Sequence, residues 1–141
     1  MLLKLKDNRL EIVAGDDASL VTMAVPNDQL LDAETLLMAD IIELRFPTFK
    51  DGRAYTQGRQ LREQIGFTGD LRATGDIVRD QILYMLRCGF TSFDVPTETD
   101  VDGLNAALSE FSDFYQSAAD AAQPIWMRRH AVQVEPVRRF A

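Results

Sequence analysis

The sequence predicts an α/β protein in which four consecutive βα units form a parallel sheet, either an open sheet or half of a β/α barrel. Three observations support this fold class. Strand-like apolar runs alternate with segments of helical spacing along most of the chain. Three of the four runs end in an apolar residue followed by proline, which cannot donate to a sheet ladder. The intervals between the runs, roughly 20–30 residues, leave room for the crossover helices that parallel strands require.

The first part of the chain, 1–15, is predicted to form a hairpin outside this repeat. Its residues LLKLKDNRLEIV alternate apolar and charged side chains around Asp7-Asn8, a pair that favours a tight turn. Four strands are then expected, with a helix after each, and their ranges are 20–25, 41–46, 70–74 and 92–95. The proline pairs that end three of them are Val25-Pro26, Phe46-Pro47 and Val95-Pro96. These ends are expected on one side of the sheet, because parallel strands run in one direction.

Caps and apolar spacing predict the helices. Asn27 is expected to cap the first helix and Asp76 the third, while Gly89 is expected to end the third. Apolar residues three or four apart predict the second helix from Ala54, Gly58, Leu61 and Ile65, and the fourth from Val101, Leu104, Leu108, Phe111 and Tyr115. The helical period ends near residue 120. A single domain is therefore expected, with a hairpin at 1–15, a βα core at 20–120 and a C-terminal arm at 121–141.

Composition argues against several classes of protein. The chain of 141 residues carries a net charge of −7, which argues against nucleic acid as its main partner. No apolar run is long enough for a membrane span, and Lys4 and Lys6 interrupt the first apolar residues, so neither a membrane partner nor a signal peptide is expected. The single cysteine, Cys88, and the single histidine, His130, leave no His or Cys cluster for a metal. A cytoplasmic protein without a metal is expected.

Positive charge is concentrated in the middle of an acidic chain. Between Arg45 and Gly89, eight basic side chains outnumber five acidic ones. Strand alternation also places charged side chains on one face of the predicted sheet, namely Glu43, Arg45, Arg72 and Asp94. That face is either wet, or it lines a barrel-like interior or a subunit contact in which the charges pair. An internal set of ion pairs with a structural role is one interpretation of it.

An anion-binding site is the other interpretation of the basic region. Two turns, Asp51-Gly52 and Thr74-Gly75-Asp76, lead into helices whose first N–H groups attract anions. The arginine fork suits carboxylate, phosphate or sulfur oxyanions. The candidate residues, expected to converge at the carboxyl ends of the strands, are Arg45, Arg53, Arg72, Arg79, Gly52, Gly75, Tyr55 and Thr56. The alternative is that nearby aspartates pair with these arginines and that Tyr55 and Thr56 tie the loop; no known phosphate motif decides between them.

A longer pattern resembles a known family. The segment FPTFKDGRAYTQGRQLREQIGFTGDLRATGDIVRDQILYMLRCGFTSFDV contains FPxFxDGRxY, LRExxGFxGxLRAxGDxxRDQ and RCGFxxF. It is similar to a bacterial family called domain of unknown function 934, whose members are described as oxidoreductases associated with assimilatory sulfite reduction. The resemblance implies a role in that process, but it brings no established catalytic residues. Flavin, nicotinamide, haem and iron–sulfur signatures are missing from the sequence, so no cofactor is expected.

Two functions from different classes follow. The first is an accessory protein of sulfite assimilation that binds components of sulfite reductase, with a small oxyanion as a second ligand. The second is a small α/β enzyme that acts on an anionic substrate at the strand ends. A homodimer is expected in either case, formed through the C-terminal arm around Trp126, through the charged strand face, or through both.

Overall fold

The computed structural model describes residues 1–48, 50–110 and 119. They form a mixed α/β fold with one six-stranded sheet and four α-helices. The strands are β1 (Leu2–Lys6), β2 (Arg9–Val13), β3 (Thr22–Val25), β4 (Ile41–Phe46), β5 (Asp70–Gly75) and β6 (Ser92–Asp94). The helices are α1 (Ala33–Leu36), α2 (Arg53–Gln60), α3 (Ile82–Arg87) and α4 (Val101–Ser109). The four predicted strands therefore lie within two residues of their observed bounds.

The sheet is mostly parallel, and its strand order is β2-β1-β6-β5-β4-β3. The strands from β3 to β6 pair in parallel in chain order, and β4 pairs with β5 from Ile41 opposite Asp70 to Phe46 opposite Gly75. The pairs of β1 with β2 and of β1 with β6 are antiparallel. The strands β2 and β3 thus form the two edges of the sheet.

The hairpin of β1 and β2 extends this sheet. Asp7 and Asn8 have φ angles of 50° and 62°, the left-handed region that a two-residue hairpin turn needs. Strand β1 pairs with β6 so that Leu3 lies opposite Phe93, and both side chains are completely buried. The sequence placed the hairpin outside the repeat without giving it a position. Burial of its apolar side chains in the common core decides that position.

The two faces of the sheet differ sharply. One face is apolar and is covered by the helices, and its buried side chains include Leu3, Ile42, Leu44, Phe46, Leu71 and Phe93. The opposite face carries Lys4, Glu43, Arg45, Arg72, Ser92 and Asp94. Residues 14–21 connect β2 to β3, so they pass from one edge of the sheet to the other. Asp16 contacts Arg72 on the way, which places this connection over the polar face.

Two predicted helix caps were wrong. The first helix begins after Asp32, and the Asn27 amide donates to Asp51 Oδ2 at 2.7 Å. The third begins later than Asp76, whose backbone N–H donates to the carbonyl of Phe46 at 2.8 Å. Asn27 is thus bonded to the loop after β4, and Asp76 to the last residue of β4. A 3₁₀ turn, Arg79–Gln81, leads into α3.

The predicted end of the third helix was confirmed. Gly89 follows α3 with a φ of 100°, a conformation in which glycine is favoured. Arg62 also lies against this glycine, in a π-helical turn, Leu61–Ile65, that continues α2. Its guanidinium donates to the carbonyls of Gly89, Phe67 and Gly69 at 2.8–2.9 Å. Arg62 therefore joins the end of α3 to the turn before β5, and burial lowers its pKa.

Several predictions concern residues outside this description. The fourth helix was predicted through Phe111 and Tyr115, which lie outside it, as do His130, Trp126 and the rest of the arm at 121–141. None of the helices in the described part of the chain has the length and apolar character needed to cross a membrane.

Candidate functional site

The loops after the parallel strands meet at one edge of the sheet. Gly75 ends β5 opposite Phe46, and the N–H of Asp76 donates to the Phe46 carbonyl at 2.8 Å. Gly75 has a φ of 96°, and a Cβ there would lie 2.3 Å from the Phe46 carbonyl oxygen. Only glycine allows this approach. The end of β4 and the loop after β5 are therefore in direct contact at this position.

The turn that contains Gly52 is closed by an ion pair. Arg53 donates to both carboxylate oxygens of Asp51, with Nε–Oδ1 at 3.0 Å and Nη2–Oδ2 at 2.7 Å. The Asp51 carboxylate also accepts the Asn27 amide, and the Arg53 guanidinium holds the pKa of this carboxyl group well below its ordinary range. The turn thus ties the loop after β3 to the loop after β4. The Arg53 guanidinium already has a carboxylate partner.

Tyr55 and Thr56 differ in burial on α2. The Tyr55 ring is buried against Phe46 and Tyr84, with ring centroids 4.9 Å and 4.8 Å away. Its hydroxyl has no hydrogen-bond partner within the described part of the chain, and burial raises its pKa to about 12. Thr56 is exposed to solvent. Tyr55 therefore packs in the core, and only Thr56 faces a ligand in solution.

Arg72 lies on the polar face, in the middle of a network of acceptors. Its side chain is only 7% exposed, and its Nη1 lies 2.7 Å from Asp16 Oδ2. Further contacts join it to Asp70 Oδ2 at 3.1 Å, Ser92 Oγ at 3.1 Å and Glu43 Oε1 at 3.5 Å. Arg72 precedes Gly75 by three residues, about 10 Å along the strand. The structural interpretation of the charged face accounts for this arginine.

The remaining two candidates, Arg45 and Arg79, are exposed and form no ion pair with the described residues. Arg45 lies on the polar face near the end of β4, opposite Thr74. Arg79 lies in the 3₁₀ turn before α3, and its Nη2 reaches the first turn of α4, 3.2 Å from the position that a Cβ on Gly103 would take. The α4 helix packs on the apolar side through Leu104. The four arginines are thus distributed over both sides of the sheet, and their role in anion binding stays a prediction.

Acidic and thiol groups do not form a metal site in this region. Among residues 1–48, 50–110 and 119, no group of three His, Cys, Asp or Glu side chains is arranged to hold a metal ion. Cys88 is buried, and burial raises the pKa of its thiol. Among the candidate residues, the groups open to a ligand are therefore guanidinium groups, backbone N–H groups and the Thr56 hydroxyl.

The sheet has one protected edge. At β2, both backbone groups of Leu10 are bonded by the Asn105 side chain, which accepts the N–H at 2.8 Å and donates to the carbonyl at 2.9 Å. The amide thus occupies the place of a further strand. Charged residues Arg9 and Glu11 flank this position. Side chains of this kind keep edge strands from pairing with other chains.

The opposite edge, β3, is open. The carbonyl of Val21 accepts the N–H of Ile41, so alternate residues of β3 point their backbone groups toward β4. Those of Thr22 and Ala24 consequently point away from the sheet, and no partner for them lies among the described residues. The strand and its neighbours, LVTMAVP, carry no charge. Within residues 1–48 and 50–110, no side chain bonds to these groups as Asn105 does at β2.

Exposed apolar side chains lie in the segments that flank β3 in the chain. They come from the residues before β3, from the loop after it and from the residues that follow α1: Leu20, Val21, Leu30, Leu37 and Met38. Leu30 is 91% exposed and Met38 is 76% exposed. We call these five side chains together with Thr22 and Ala24 the β3 edge surface. An apolar surface beside an unpaired strand is typical of a protein interaction site.

Sequence reasoning did not find the β3 edge surface, because it treated 20–25 only as one strand of the repeat. One signal was available. No Lys or Arg occurs between Leu10 and Leu44, so this strand lacks the basic side chains that commonly protect an edge. Whether a strand lies at an edge depends on the strand order, which the periodicity of a single segment does not contain.

Relatives of this chain are recognised at the level of the family. Residues 21–126 match the profile of a family described as a bacterial protein of unknown function (DUF934). No curated protein and no solved structure matches the chain. The matched range includes β3 to α4, and the hairpin and Asp16 precede it. Because the match covers well over half of the sequence, the chain belongs to the bacterial family of unknown function DUF934.

Proposed function

We propose that this protein is a cytoplasmic accessory module of assimilatory sulfite reduction that binds a component of sulfite reductase through the β3 edge surface. The link to sulfite reduction rests on the family resemblance of the segment from Arg45 to Asp94. The βα units inferred from the sequence would be the scaffold that holds this edge. The observation that carries the binding role is the contrast between a protected edge at β2 and an open one at β3.

Strand addition is the binding mode that this surface supports. Thr22 and Ala24, whose outward N–H and C=O groups have no partner in the described part of the chain, offer them to an extended segment of a partner, which gives affinity through the main chain. Leu37 and Met38, which follow α1, are exposed and would bury apolar area on binding. A surface of this kind needs no catalytic group, so the proposal does not depend on the oxidoreductase label of the family.

Proline substitution at the edge tests this function. In Ala24→Pro the lost N–H is one that points away from β4, so the ladder of the sheet stays intact while strand addition is blocked. Ile12→Pro is the matched control, since Ile12 is two residues from Leu10 and also points its N–H away from the sheet, at the protected edge. We expect sulfite reductase subunits to co-purify with the wild type and with Ile12→Pro from cells grown on sulfate. Equal recovery with Ala24→Pro would contradict the assignment.

A small oxyanion is a second candidate ligand. It would be the substrate if the protein were a small α/β enzyme that acts on an anion. The specific observation is that Arg45 and Arg79 are exposed and form no ion pair within the described residues. If one of them binds sulfite or sulfate, its replacement by alanine should weaken binding by about 1.5–3 kcal/mol, the scale of a charged hydrogen bond. Arg59→Ala is a suitable control, because that side chain pairs with Glu63 on an exposed helix face. Calorimetric titration of both anions is the measurement, and absence of heat at millimolar anion would remove this candidate.

A further inference from the structure

Carboxylates border the β3 edge surface. The segment 14–40 contains no basic residue but six acidic ones: Asp16, Asp17, Asp28, Asp32, Glu34 and Asp40. Hydrogen bonds place some of them at the ends of β3. The Asp40 carboxylate accepts the N–H of Val21 at 2.8 Å, and the carbonyl of Asp17 accepts the N–H of Leu20 at 3.0 Å. Asp28 lies in the turn that follows the strand, which is closed by a bond from Gln29 to Pro26 at 3.1 Å.

This charge determines what can bind at the edge. Two β3 edges from two copies, paired directly, would bring acidic borders together, and such contacts between like charges are unfavourable. The nearby guanidinium of Arg53 is already bonded to Asp51, so it does not fully neutralise the carboxylates that border the β3 edge surface. An apolar segment flanked by arginines would hydrogen-bond with the outward backbone groups of β3, bury the exposed apolar side chains and pair with the carboxylates.

The chain itself contains a segment of this composition. Residues 127–141, MRRHAVQVEPVRRFA, carry four arginines and one glutamate, and they lie outside the described residues. Two arginines precede and two follow a central apolar stretch in which Val132 and Val134 alternate with a polar residue. Alternation of this kind places two apolar side chains on one face of an extended segment. The charges at both ends match a strand with carboxylates at both ends.

We propose that, in the absence of another partner, the β3 edge surface binds segment 127–141 of a second copy of this chain. Reciprocal exchange of the segment gives a closed dimer with two identical contacts. The inference rests on the proposed function, because it uses the same surface, and it adds a regulation to it: self-association competes with binding of the partner protein. Dimer formation should therefore be sensitive to salt, since the contact joins opposite charges at the protein surface.

Charge reversal in the full chain tests the dimer. Sedimentation velocity between 5 and 200 µM should show a concentration-dependent dimer for the wild type. Contacts worth about −6 to −7 kcal/mol are half formed within this range of protein concentration. Arg138→Glu with Arg139→Glu should raise the dissociation constant at least tenfold. Asp28→Lys with Glu34→Lys should do the same on the other side of the contact. Neither of these two carboxylates accepts a hydrogen bond from the described residues, and thermal melts monitor folding of every variant.

A mixture of the two charge-reversed proteins gives the sharpest result. Each is expected to be monomeric alone, and the mixture should recover heterodimers because reversed charges now face each other. Lys6→Glu with Arg9→Glu changes the charge at the protected β2 edge by the same amount and should leave the dimer unchanged. A wild type that stays monomeric at 200 µM overturns the proposal. So does a dimer that survives Ala24→Pro, or one that is unaffected by reversal of the segment.

The results separate this inference from the proposed function. If the full chain is monomeric while Ala24→Pro still abolishes co-purification of sulfite reductase, the dimer is refuted and the docking role stands. If Ala24→Pro dissociates a dimer but no reductase subunit is recovered with the wild type, the dimer is supported and the docking role is refuted.

Discussion

Replacement of Asp16 by asparagine should release the connection between β2 and β3 from the polar face of the sheet. Asp16 binds the Arg72 guanidinium through both carboxylate oxygens, with Nη1–Oδ2 at 2.7 Å and Nη2–Oδ1 at 2.9 Å. It also accepts Lys4 Nζ at 2.8 Å. The substitution removes the negative charge from both contacts and leaves Arg72 with Asp70 and Glu43 as its remaining carboxylate partners.

The magnitude follows from the acidity of this carboxyl group. Its hydrogen bonds with Arg72, and then with Lys4, lower its pKa from 3.8 to about 2. A shift of that size corresponds to at most about 2.4 kcal/mol, and solvent screening of the partly exposed Asp16 reduces the expected contribution to about 1–2 kcal/mol. Because the pKa is depressed in the folded state, this contribution is present above pH 3.8 and is lost as the pH falls toward 2.

Urea denaturation at several pH values measures this contribution. At pH 7, Asp16→Asn should unfold with a free energy about 1–2 kcal/mol lower than that of the wild type. The difference should shrink between pH 4 and pH 2. Asp102→Asn is the control, because Asp102 is exposed in the first turn of α4, and it should cost no more than about 0.5 kcal/mol. A difference at pH 7 that persists unchanged at pH 2 would refute the reasoning.

Three further substitutions test other parts of the fold. Gly75→Ala should destabilise the protein by about 2–4 kcal/mol in urea denaturation, because it combines a positive φ with a close contact to Phe46; a loss below 1 kcal/mol would contradict this. Arg62→Met should cost about 2–4 kcal/mol by leaving backbone carbonyls without donors, whereas Arg59→Met should cost less than about 1 kcal/mol. Tyr55→Phe should be neutral or stabilising at pH 7, since the buried hydroxyl has no partner in the described region. The raised pKa of Tyr55 means that the wild type, and less so Tyr55→Phe, should lose stability as the pH rises from 10 to 12.

The local elements of this protein follow from short stretches of its sequence. Alternation of side chains and the prolines after Val25 and Phe46 located the strands, because both act over a few residues. Asp7-Asn8 identified the hairpin turn and Gly89 the end of a helix, since each residue type suits a left-handed backbone. The charge of the polar face could also be derived from the period of the strands.

Which of these local elements and charges meet depends on packing between distant segments. The partner of Arg72 is Asp16, which is 56 positions away in the chain and is brought there because β2 and β3 lie at opposite edges. Asn27 was expected to cap a helix, but its amide binds the turn at Asp51 instead. The strand order likewise determined that β3 is an open edge and that β2 is covered by Asn105. Periodicity records the surroundings of one segment, whereas strand order and ion pairs depend on how distant segments pack, and that is where the candidate interaction surface arises.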